Sequence, residues 1–306
     1  MPNVLDPAPG AEPSRRAESR ILRPGVLGAH VSAAGGVDKA PARATRIGAS
    51  VFQIFTKQPS RWAEPSLGDD AVCAFRTEKV RAGAGFAVSH DSYLINLASP
   101  EPALWRRSTD SFRRELARAA RLGLDAVVTH PGNAMDGDRD EAIERNATGV
   151  AEALETVPDG PRVLLELTSG SGTSVGGTFE ELARIIRLVP EPLRSRVGIC
   201  FDTCHAWVGG FDLRRDFEGV WMRADDTFGA HRIELFHLND AKAPFGSHLD
   251  RHENIGRGTM GIEPFRRLMN EERFRAVPKV LETPKGDDGV SADRENLAVL
   301  RGLRGT

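Results

Sequence analysis

The sequence predicts an α/β fold, a TIM (β/α)8 barrel, because short apolar segments alternate with longer helical patterns along the chain. Eight of these segments are rich in β-branched residues and have the length of a buried strand. They are VLGAHVS (26–32), VFQIF (51–55), GFAVSH (85–90), DAVVTH (125–130), VLLELT (163–168), VGICFDT (197–203), IELFHLN (233–239) and KVLET (279–283). Alternating strands and helices favour parallel pairing through right-handed crossovers, and eight units fit a closed barrel. An open doubly wound sheet is the alternative.

Helical periodicity fills the segments between these strands. In GGVDKAPARATRIG (35–48) and TDSFRRELARAARLG (109–123), apolar residues recur at i, i+3 and i+4, and a glycine follows the last turn. The arginine-rich stretch 113–122 is interpreted as an outer helix with a charged face, not as a DNA-binding patch. Residues 1–24 are rich in proline and arginine without a sustained period and are predicted to be a flexible tail. The predicted single barrel domain then spans residues 25–306.

The composition is that of an ordinary globular protein, with 40% hydrophobic and 27% charged residues. A formal net charge of −2 gives no overall attraction for nucleic acid, so such a partner would need a local positive field. Cys73, Cys200 and Cys204 do not form a disulfide framework, which favours packing thiols in a reducing cytoplasm. No apolar run approaches the ~20 residues of a membrane span, and no signal peptide is recognisable. A cytoplasmic protein without a membrane partner is expected.

Residues of the types that bind metals lie at the carboxyl ends of the predicted strands. In a barrel these ends meet on one face, so residues far apart in sequence become neighbours. Each strand from the third onward carries such a residue, and the following loops add three more. The set comprises His90, His130, Glu166, Asp202, His205, His237, Asp250, His252 and Glu282.

Taken singly, each of these residues has an ordinary structural explanation, such as a hydrogen-bonded histidine, an ion-paired carboxylate or a helix cap. Taken together, four carboxylates buried at one place would be strongly unfavourable without cations. Histidine and carboxylate ligands without cysteine suit Zn²⁺, with Mn²⁺ or Fe²⁺ as substitutes, whereas magnesium favours oxygen throughout. Nine side chains are too many for one ion, and three divalent ions with bridging carboxylates fit the set. Three such ions would leave the site with a net positive charge.

At these residues the chain resembles the endonuclease IV (deoxyribonuclease IV) family, zinc-dependent apurinic/apyrimidinic endonucleases of base excision repair that are built on a TIM barrel. The resemblance covers nearly everything after the first 24 residues. It is carried by GAHVSAAGG (28–36), FTK (55–57), HDSYLINL (90–97), HPGN (130–133), FDTCHAWVGGFDLR (201–214), HLNDAK (237–242), DRHENIGRGTMG (250–261) and LET (281–283).

The resemblance implies how the ligands are divided among three zinc ions. His90, His130 and Glu166 would hold the first, and Glu166 would bridge to a second. That second ion would also be held by Asp202, His237 and Glu282, and the third by His205, Asp250 and His252. The implied reaction is hydrolysis of the phosphodiester 5′ to an abasic site in double-stranded DNA, leaving a 3′-hydroxyl and a 5′-deoxyribose phosphate. Glu282 would orient or deprotonate the attacking hydroxide, and Glu166 would support it as the bridging ligand.

The resemblance also implies residues that contact DNA. Tyr93 matches the position that the family inserts into the duplex, and a packing aromatic is its alternative. Lys57, Arg61 and Trp62 are candidates for phosphate contact and wedging. The usual arginine of the family lies two residues before the tryptophan, where this chain has Ser60, and Arg61 lies one residue later. A monomer is expected, acting at the nucleoid.

Other polar residues near the site are expected to be structural or solvated. The segment TSGSGTSVGG (168–177) lacks a P-loop lysine and the GxGxxG spacing, so it is predicted to be a flexible loop at the barrel mouth. His30 is expected to support the ligands, and Asp240 and Lys242 to organise the loop after the seventh strand. His231 and His248 are expected to face solvent.

Two other functions are considered. Sugar isomerases and epimerases resemble this family in fold and also place histidine and carboxylate ligands at strand ends, but generally with one or two metals. They would require neither the DRH sequence at 250–252 nor Tyr93. A non-catalytic, metal-stabilised DNA-binding barrel would need closed coordination, against which nine ligands over three ions argue.

Overall fold

The computed structural model describes residues 27–305, so the expected tail at 1–24 lies outside the described residues. Eight strands form the barrel, each three to six residues long. They are β1 (Leu27–His30), β2 (Val51–Phe55), β3 (Phe86–His90), β4 (Ala126–Thr129), β5 (Arg162–Glu166), β6 (Val197–Asp202), β7 (Ile233–His237) and β10 (Lys279–Leu281). Each expected strand is present, within a few residues of its predicted bounds.

The eight strands close into one parallel barrel in the order β1, β10, β7, β6, β5, β4, β3, β2. Closure is made by β1, which pairs with β2 on one side and with β10 on the other, where Ala29 faces Leu281. The predicted TIM barrel is therefore confirmed, and the open-sheet alternative is wrong.

Helices surround the barrel and connect its strands. They are α1 (Lys39–Arg46), α2 (Asp69–Arg81), α3 (Pro102–Leu122), α4 (Arg139–Thr156), α5 (Phe179–Leu188), α6 (Glu191–Arg194), α7 (Thr203–Val208), α8 (Phe217–Phe228), α9 (Glu263–Asn270) and α10 (Ser291–Gly302), with single 3-10 turns at Ala230–Arg232 and Glu272–Phe274. Helix α3 begins at Pro102, earlier than the sequence pattern indicates, because proline suits the first turn of a helix. Among the described residues, none of these helices has the length and apolar character needed to traverse a bilayer.

The long segment after β7 contains a small hairpin that the sequence does not predict. Its strands, β8 (Asp240–Ala241) and β9 (His252–Glu253), pair antiparallel. Asp240 organises this segment, as expected, because its carboxylate accepts hydrogen bonds from the backbone N–H groups of Ala241, Gly258 and Met260 at 2.7–3.1 Å. The hairpin directs His252 back toward the barrel mouth.

Alternate residues of the strands face opposite sides of the sheet and form two separate cores. One face packs against the helices and contains large aromatic side chains such as Phe52, Phe201 and Phe236. The other face fills the barrel interior with a smaller apolar cluster. That interior cluster consists of Val51, Phe86, Val88, Ala126, Val128, Leu164, Cys200, Leu235 and Val280.

Candidate metal centre

The predicted ligands at the strand ends occupy the next inward-facing position of each strand, two residues after its last apolar interior residue. His90 lies two residues after Val88, and Glu166 lies two residues after Leu164. Asp202, His237 and Glu282 have the same spacing from interior residues of their own strands. Because successive side chains alternate between the faces of a strand, this spacing aims all of them into the barrel mouth above the apolar plug.

Glu166 lies at the centre of the assembled site, with its two oxygens facing different histidines. Its Oε2 atom is 3.1 Å from His90 Nε2 and 3.3 Å from His130 Nε2. Its Oε1 atom is 3.1 Å from His237 Nδ1 and 3.3 Å from His205 Nδ1. The residue is fully buried, so its charge needs compensation from these neighbours or from cations.

The outer ring nitrogen of several histidines is engaged by an oxygen acceptor. His90 Nδ1 is 2.9 Å from Asp91 O, and His205 Nδ1 is 2.9 Å from Leu167 O. His237 Nε2 is 2.9 Å from Gln53 Oε1, and His252 Nδ1 is 3.2 Å from Glu282 O.

When that outer nitrogen donates its proton, the other ring nitrogen presents a lone pair. In His90, His237 and His252 this second nitrogen faces the central carboxylates. This is the arrangement by which proteins orient histidines that bind metals.

The three residues predicted to hold a third ion are neighbours in the structure, with Asp250, in the loop after β7, next to both histidines. Asp250 Oδ2 is 3.2 Å from His205 Nε2, and Asp250 Oδ1 is 3.2 Å from His252 Nε2. His252 Nε2 is buried, yet its geometry toward these oxygens is not that of a hydrogen bond. A cation between these residues would satisfy that orphaned nitrogen, so the donor set fits a metal.

The structure brings all nine predicted ligands together at the barrel mouth. Within each of several sets, the potential ligand atoms lie within 4.8 Å of one another. The sets include His90, His130 and Glu166; Glu166, Asp202, His237 and Glu282; and Asp202, His205 and His252. Glu166 and Asp202 each belong to two of these three sets, as carboxylates that bridge neighbouring ions would.

The negative charge of the cluster is evident in the pKa values of its side chains. Burial alone would lower the pKa of His90, but hydrogen bonding to Glu166 raises it to about 9. Burial opposes protonation of His252 as well, but Asp202 and Asp250 raise its pKa to about 9. Burial would raise the pKa of Glu166, but the histidines around it hold that pKa well below its usual range. Binding of cations would displace the histidine protons, because metal binding requires neutral imidazole.

Two cysteines lie against the cluster. Cys200 Sγ belongs to a set with Glu166 and His237, and Cys204 lies within the same 4.8 Å distance of Asp250. Burial raises the pKa of Cys200 to about 12 and also raises that of Cys204. Cys200 also belongs to the apolar cluster of the barrel interior and Cys204 to the larger core, in agreement with the packing thiols that the sequence predicts.

Two residues that the sequence reasoning missed hold the ligands in place. The Gln53 side-chain amide donates to Glu282 Oε1 at 2.6 Å and accepts from His237. Asn239 donates to Asp202 Oδ2 at 2.6 Å and accepts from the Glu282 N–H at 2.8 Å. The interior spacing could have identified Gln53, because it follows Val51 by two residues as the ligands follow their own apolar neighbours.

His30 supports the ligands, as expected. Its Nδ1 atom is 3.0 Å from Gln53 Nε2 and 3.5 Å from Glu282 Oε1. Burial lowers the pKa of His30, which favours the neutral imidazole that accepts a hydrogen bond from Gln53. His248 is exposed, as expected, but its Nδ1 atom lies 2.7 Å from Ser169 O, so it joins two loops of the mouth.

Among the predicted DNA-contact residues, Tyr93 and Arg61 face solvent. Tyr93 is 65% exposed, and its ring lies 5.3 Å from that of Phe55 and 5.9 Å from that of His90. Arg61 is exposed in the loop between β2 and α2. Both side chains are therefore available to a partner that approaches the metal ligands.

Lys57 and Trp62 are placed differently from what their predicted roles require. The Lys57 ammonium is buried and lies 2.6 Å from Glu64 Oε1, so a phosphate contact by Lys57 is inconsistent with its position here. The Trp62 ring is half-buried beneath the Arg107 guanidinium, whose central carbon lies 4.4 Å from the ring centroid. Trp62 is thus a packing residue of the loop in this conformation, not a free wedge.

The glycine-rich segment 168–177 lies beside the mouth, as predicted. Its backbone is tied to the loop after β4, since Val175 N–H donates to Gly132 O at 2.8 Å. Ser174 also forms an isolated bridge with Asn133.

Comparison with known proteins places the chain among barrel proteins with a described activity. Residues 41–303 match the family model described as xylose isomerase-like TIM barrel. The probable endonuclease 4 of Geobacter sulfurreducens is 44% identical over 280 residues, which cover 90% of this chain and 94% of that protein. The probable endonuclease 4 of Thermoplasma acidophilum is 42% identical, over 86% of this chain and 90% of that protein.

Solved structures give the same picture. The crystal structure of endonuclease IV from Thermus thermophilus superimposes with a TM-score of 0.80 at 37% identity, covering 90% of this chain and 98% of that one. A D-psicose 3-epimerase aligns over 92% of this chain with a TM-score of 0.66 but only 15% identity, which shows a shared fold alone. The similarity to the endonuclease 4 and endonuclease IV proteins, in contrast, is one of sequence as well as fold and covers most of this chain.

Proposed function

The chain belongs to the endonuclease IV family, and from this premise we propose that it is a DNA-repair hydrolase acting on abasic sites in double-stranded DNA. It cuts the phosphodiester on the 5′ side of the lesion and leaves a 3′-hydroxyl and a 5′-deoxyribose phosphate. Its cofactor is a cluster of three zinc ions, for which Mn²⁺ or Fe²⁺ can substitute.

The observation that carries this proposal is the position of Glu166 between two sets of histidines. Its Oε2 atom faces His90 and His130 and its Oε1 atom faces His237, so one carboxylate would serve two neighbouring ions. His205, Asp250 and His252 would hold the third ion. Zinc bound at these residues would supply Lewis acidity toward a phosphate oxygen and would make hydroxide available at neutral pH.

Glu282 is the residue assigned to the attacking water. It lies at the mouth with 17% of its side chain exposed, whereas Glu166 is fully buried. Gln53 holds its Oε1 atom at 2.6 Å, and its Oε2 atom lies 3.1 Å from His237 Nδ1, so the carboxylate is held in position to orient the water or accept its proton. Asn239, hydrogen-bonded to the backbone N–H of Glu282, fixes the same residue from the other side.

Recognition of the lesion is assigned to the exposed side chains around the mouth. An enzyme that acts on a nucleotide inside a duplex must draw it out of the stack and fill the gap that it leaves. Tyr93 is exposed, rests on Phe55 and His90, and is suited to that insertion. Arg61 is suited to a backbone phosphate on the flanking strand.

A sugar isomerase or epimerase is the competing function, because such enzymes share the fold. The third ligand group argues against it, since His205, Asp250 and His252 enlarge the site beyond what one or two ions need. A closed, non-catalytic metal site would bury its ligands, but Asp250 and His130 keep 45% and 38% of their side chains exposed. Both observations favour hydrolysis at an accessible cluster.

The proposal is tested with a labelled duplex that contains one abasic site and with the zinc-loaded protein. We expect strand cleavage on the 5′ side of the lesion, with a product that a DNA polymerase extends because it ends in a 3′-hydroxyl. The Glu282→Gln variant should bind the same duplex but cleave it several orders of magnitude more slowly, as expected on losing a catalytic carboxylate. An intact duplex alongside isomerisation of pentoses would refute the proposal, and wild-type turnover by Glu282→Gln would exclude that residue from the mechanism.

A further inference from the structure

We propose that helix α3 positions the DNA-contacting loop 56–67 through a buried ionic network, in which Lys57 is a positioning residue and not a phosphate ligand. The network consists of Thr56, Lys57, Glu64, Ser111, Glu115 and Arg118. This inference rests on the proposed function, because the loop it positions carries Arg61. It also gives the arginine-rich helix a role other than that of a solvated outer surface.

Glu64 is the centre of the network. Its Oε1 atom accepts from Lys57 Nζ at 2.6 Å and from Ser111 Oγ at 2.6 Å, and its Oε2 atom accepts from Arg118. Burial alone would raise the pKa of Glu64, but these three donors lower it below its usual value. Two residues of α3 thus contact one carboxylate of the loop.

A second half of the network lies deeper, at the start of the loop. Thr56 Oγ1 donates to Glu115 Oε2 at 2.6 Å and accepts from Arg118 Nε at 2.9 Å. Arg118 also donates to the same Glu115 oxygen at 2.6 Å. Arg118 therefore bridges Glu115 of its own helix to both ends of the loop.

The four charged groups balance and are shielded from water. The side chains of Lys57, Glu115 and Arg118 are 2%, 1% and 8% exposed, and that of Glu64 is 17% exposed. Two cations meet two anions, so the network is neutral as a whole. Removing one partner of such a buried set leaves an uncompensated charge, which is far more costly than losing a surface ion pair.

Further contacts from α3 fasten the rest of the loop. Arg107 lies over the Trp62 ring, and Arg121 donates to Leu67 O at 2.5 Å and to Asp69 at 2.6 Å. Between the anchors Lys57 and Glu64 lies a short segment, residues 58–63, that is mostly exposed and carries Arg61.

The network also reaches the segment that carries Tyr93. Ser92 Oγ donates to Pro59 O in the loop at 2.6 Å, and Ser108 of α3 accepts from the Asn96 N–H at 3.0 Å. Helix α3 therefore supports both recognition segments at once. A loop ordered before the encounter avoids the entropy cost of ordering it on the DNA, which improves binding without any new contact.

The test is a double-mutant cycle at Lys57 and Glu64, read as steady-state cleavage of the abasic duplex. Glu64→Gln leaves the network with one more cation than anions, and Lys57→Met leaves it with one more anion than cations. Each variant should therefore raise KM roughly 10-fold while kcat changes less than about 3-fold. The double variant is again neutral in the network, and its KM should return to within about 3-fold of the wild-type value. Zinc content should stay unchanged in all three, since none of the ligands is altered.

A direct phosphate contact by Lys57 predicts a different pattern. Lys57→Met and the double variant would then be equally weak, and the slope of log KM against log salt concentration would fall by about one charge. That result would overturn the inference. An unchanged salt slope together with recovery in the double variant supports it.

Two further variants keep the inference testable if a buried substitution prevents folding. Arg107→Ala removes the exposed clamp on Trp62 without touching the network, and should raise KM a few-fold at constant zinc content. Arg114→Ala is the matched control, because its pair with Asp110 lies on the exposed face of the same helix, and it should behave as wild type. Equal KM values for Arg107→Ala and Arg114→Ala would contradict the positioning role.

The wild-type cleavage assay distinguishes failure of the proposed function from failure of the inference. A wild-type protein that leaves the abasic duplex intact refutes the function and the inference with it. If the wild-type protein cleaves the duplex but the effects of the two single substitutions on KM simply add in the double variant, the inference is refuted and the proposed function is not.

Discussion

The Lys279 ammonium is buried at the start of β10, at the end of the barrel opposite the metal ligands. It donates to the carbonyl oxygens of Phe274 and Val277 at 2.6 and 2.8 Å, and it has no ion pair among the residues that the structure describes. Burial lowers the pKa of Lys279 to about 7. Charge at this position therefore opposes folding.

The penalty that Lys279 imposes on stability should consequently fall as the pH rises above 7. Below about pH 7 both folded and unfolded chains carry the Lys279 proton, so the penalty is fully present. Between that value and the unfolded pKa near 10.4, Lys279 binds its proton more tightly in the unfolded chain, and its contribution to the unfolding free energy increases by at most about 1.4 kcal/mol per pH unit.

Chemical denaturation from pH 7 to pH 10 should show the wild type gaining stability relative to Lys279→Met. Lys39→Met, at an exposed lysine, is the control and should not change the pH dependence. A constant difference between wild type and Lys279→Met over this range would contradict the expectation.

Among the secondary structure elements, helix α3 links the fold to the site, because its buried face packs in the core and its loop-facing side holds segment 56–67. The helix ends at Gly123, whose φ of 67° and ψ of 39° are left-handed. A Cβ there would meet nothing closer than 3.7 Å, so the cost of alanine is one of backbone conformation alone.

Gly123→Ala should therefore destabilise the protein by about 1 kcal/mol. Gly302, the last residue of α10, has ordinary helical geometry and open space around its Cα, so Gly302→Ala should instead stabilise by a few tenths of a kcal/mol. Thermal or urea unfolding of the two variants measures the contrast. If Gly123→Ala instead stabilised the protein as Gly302→Ala does, helix propensity and not the left-handed backbone would determine the effect at Gly123.

The secondary structure elements show which features of the structure could be predicted from the sequence alone. The strand positions and the gathering of nine candidate ligands at the barrel mouth could be predicted, because the two-residue period and the residue types are local features. The burial of Lys57 could not, because its partner Ser111 lies 54 residues away and their contact depends on how α3 packs. The β8 and β9 hairpin was missed for a similar reason, since strands of two residues have no readable period.

At the scale of the whole molecule, the nine candidate ligands come from six strands of the barrel and the loops that follow them. Ions that bind the folded state but not the unfolded chain add to stability by mass action. Purified zinc-loaded protein should contain close to three equivalents of metal.

Removal of that zinc by a chelator should lower the melting temperature by about 10 °C or more, because each saturated site contributes several kcal/mol. His205→Ala should lose about one equivalent and part of that difference. Mass spectrometric metal analysis and thermal unfolding measure both effects. A single equivalent in the wild type, or a melting temperature that does not respond to the chelator, would refute the trinuclear site.

Barrel closure by the pairing of β1 with β10 has a consequence for biosynthesis. The first barrel strand has no partner on one side until the last has been made, and Glu282 follows that last strand directly. A chain still being synthesised therefore holds at most an incomplete ligand set on an unclosed sheet. With Glu282 in the role proposed above, nuclease activity should arise only after translation has passed residue 282, and fragments released by premature termination or proteolysis before that point should carry none.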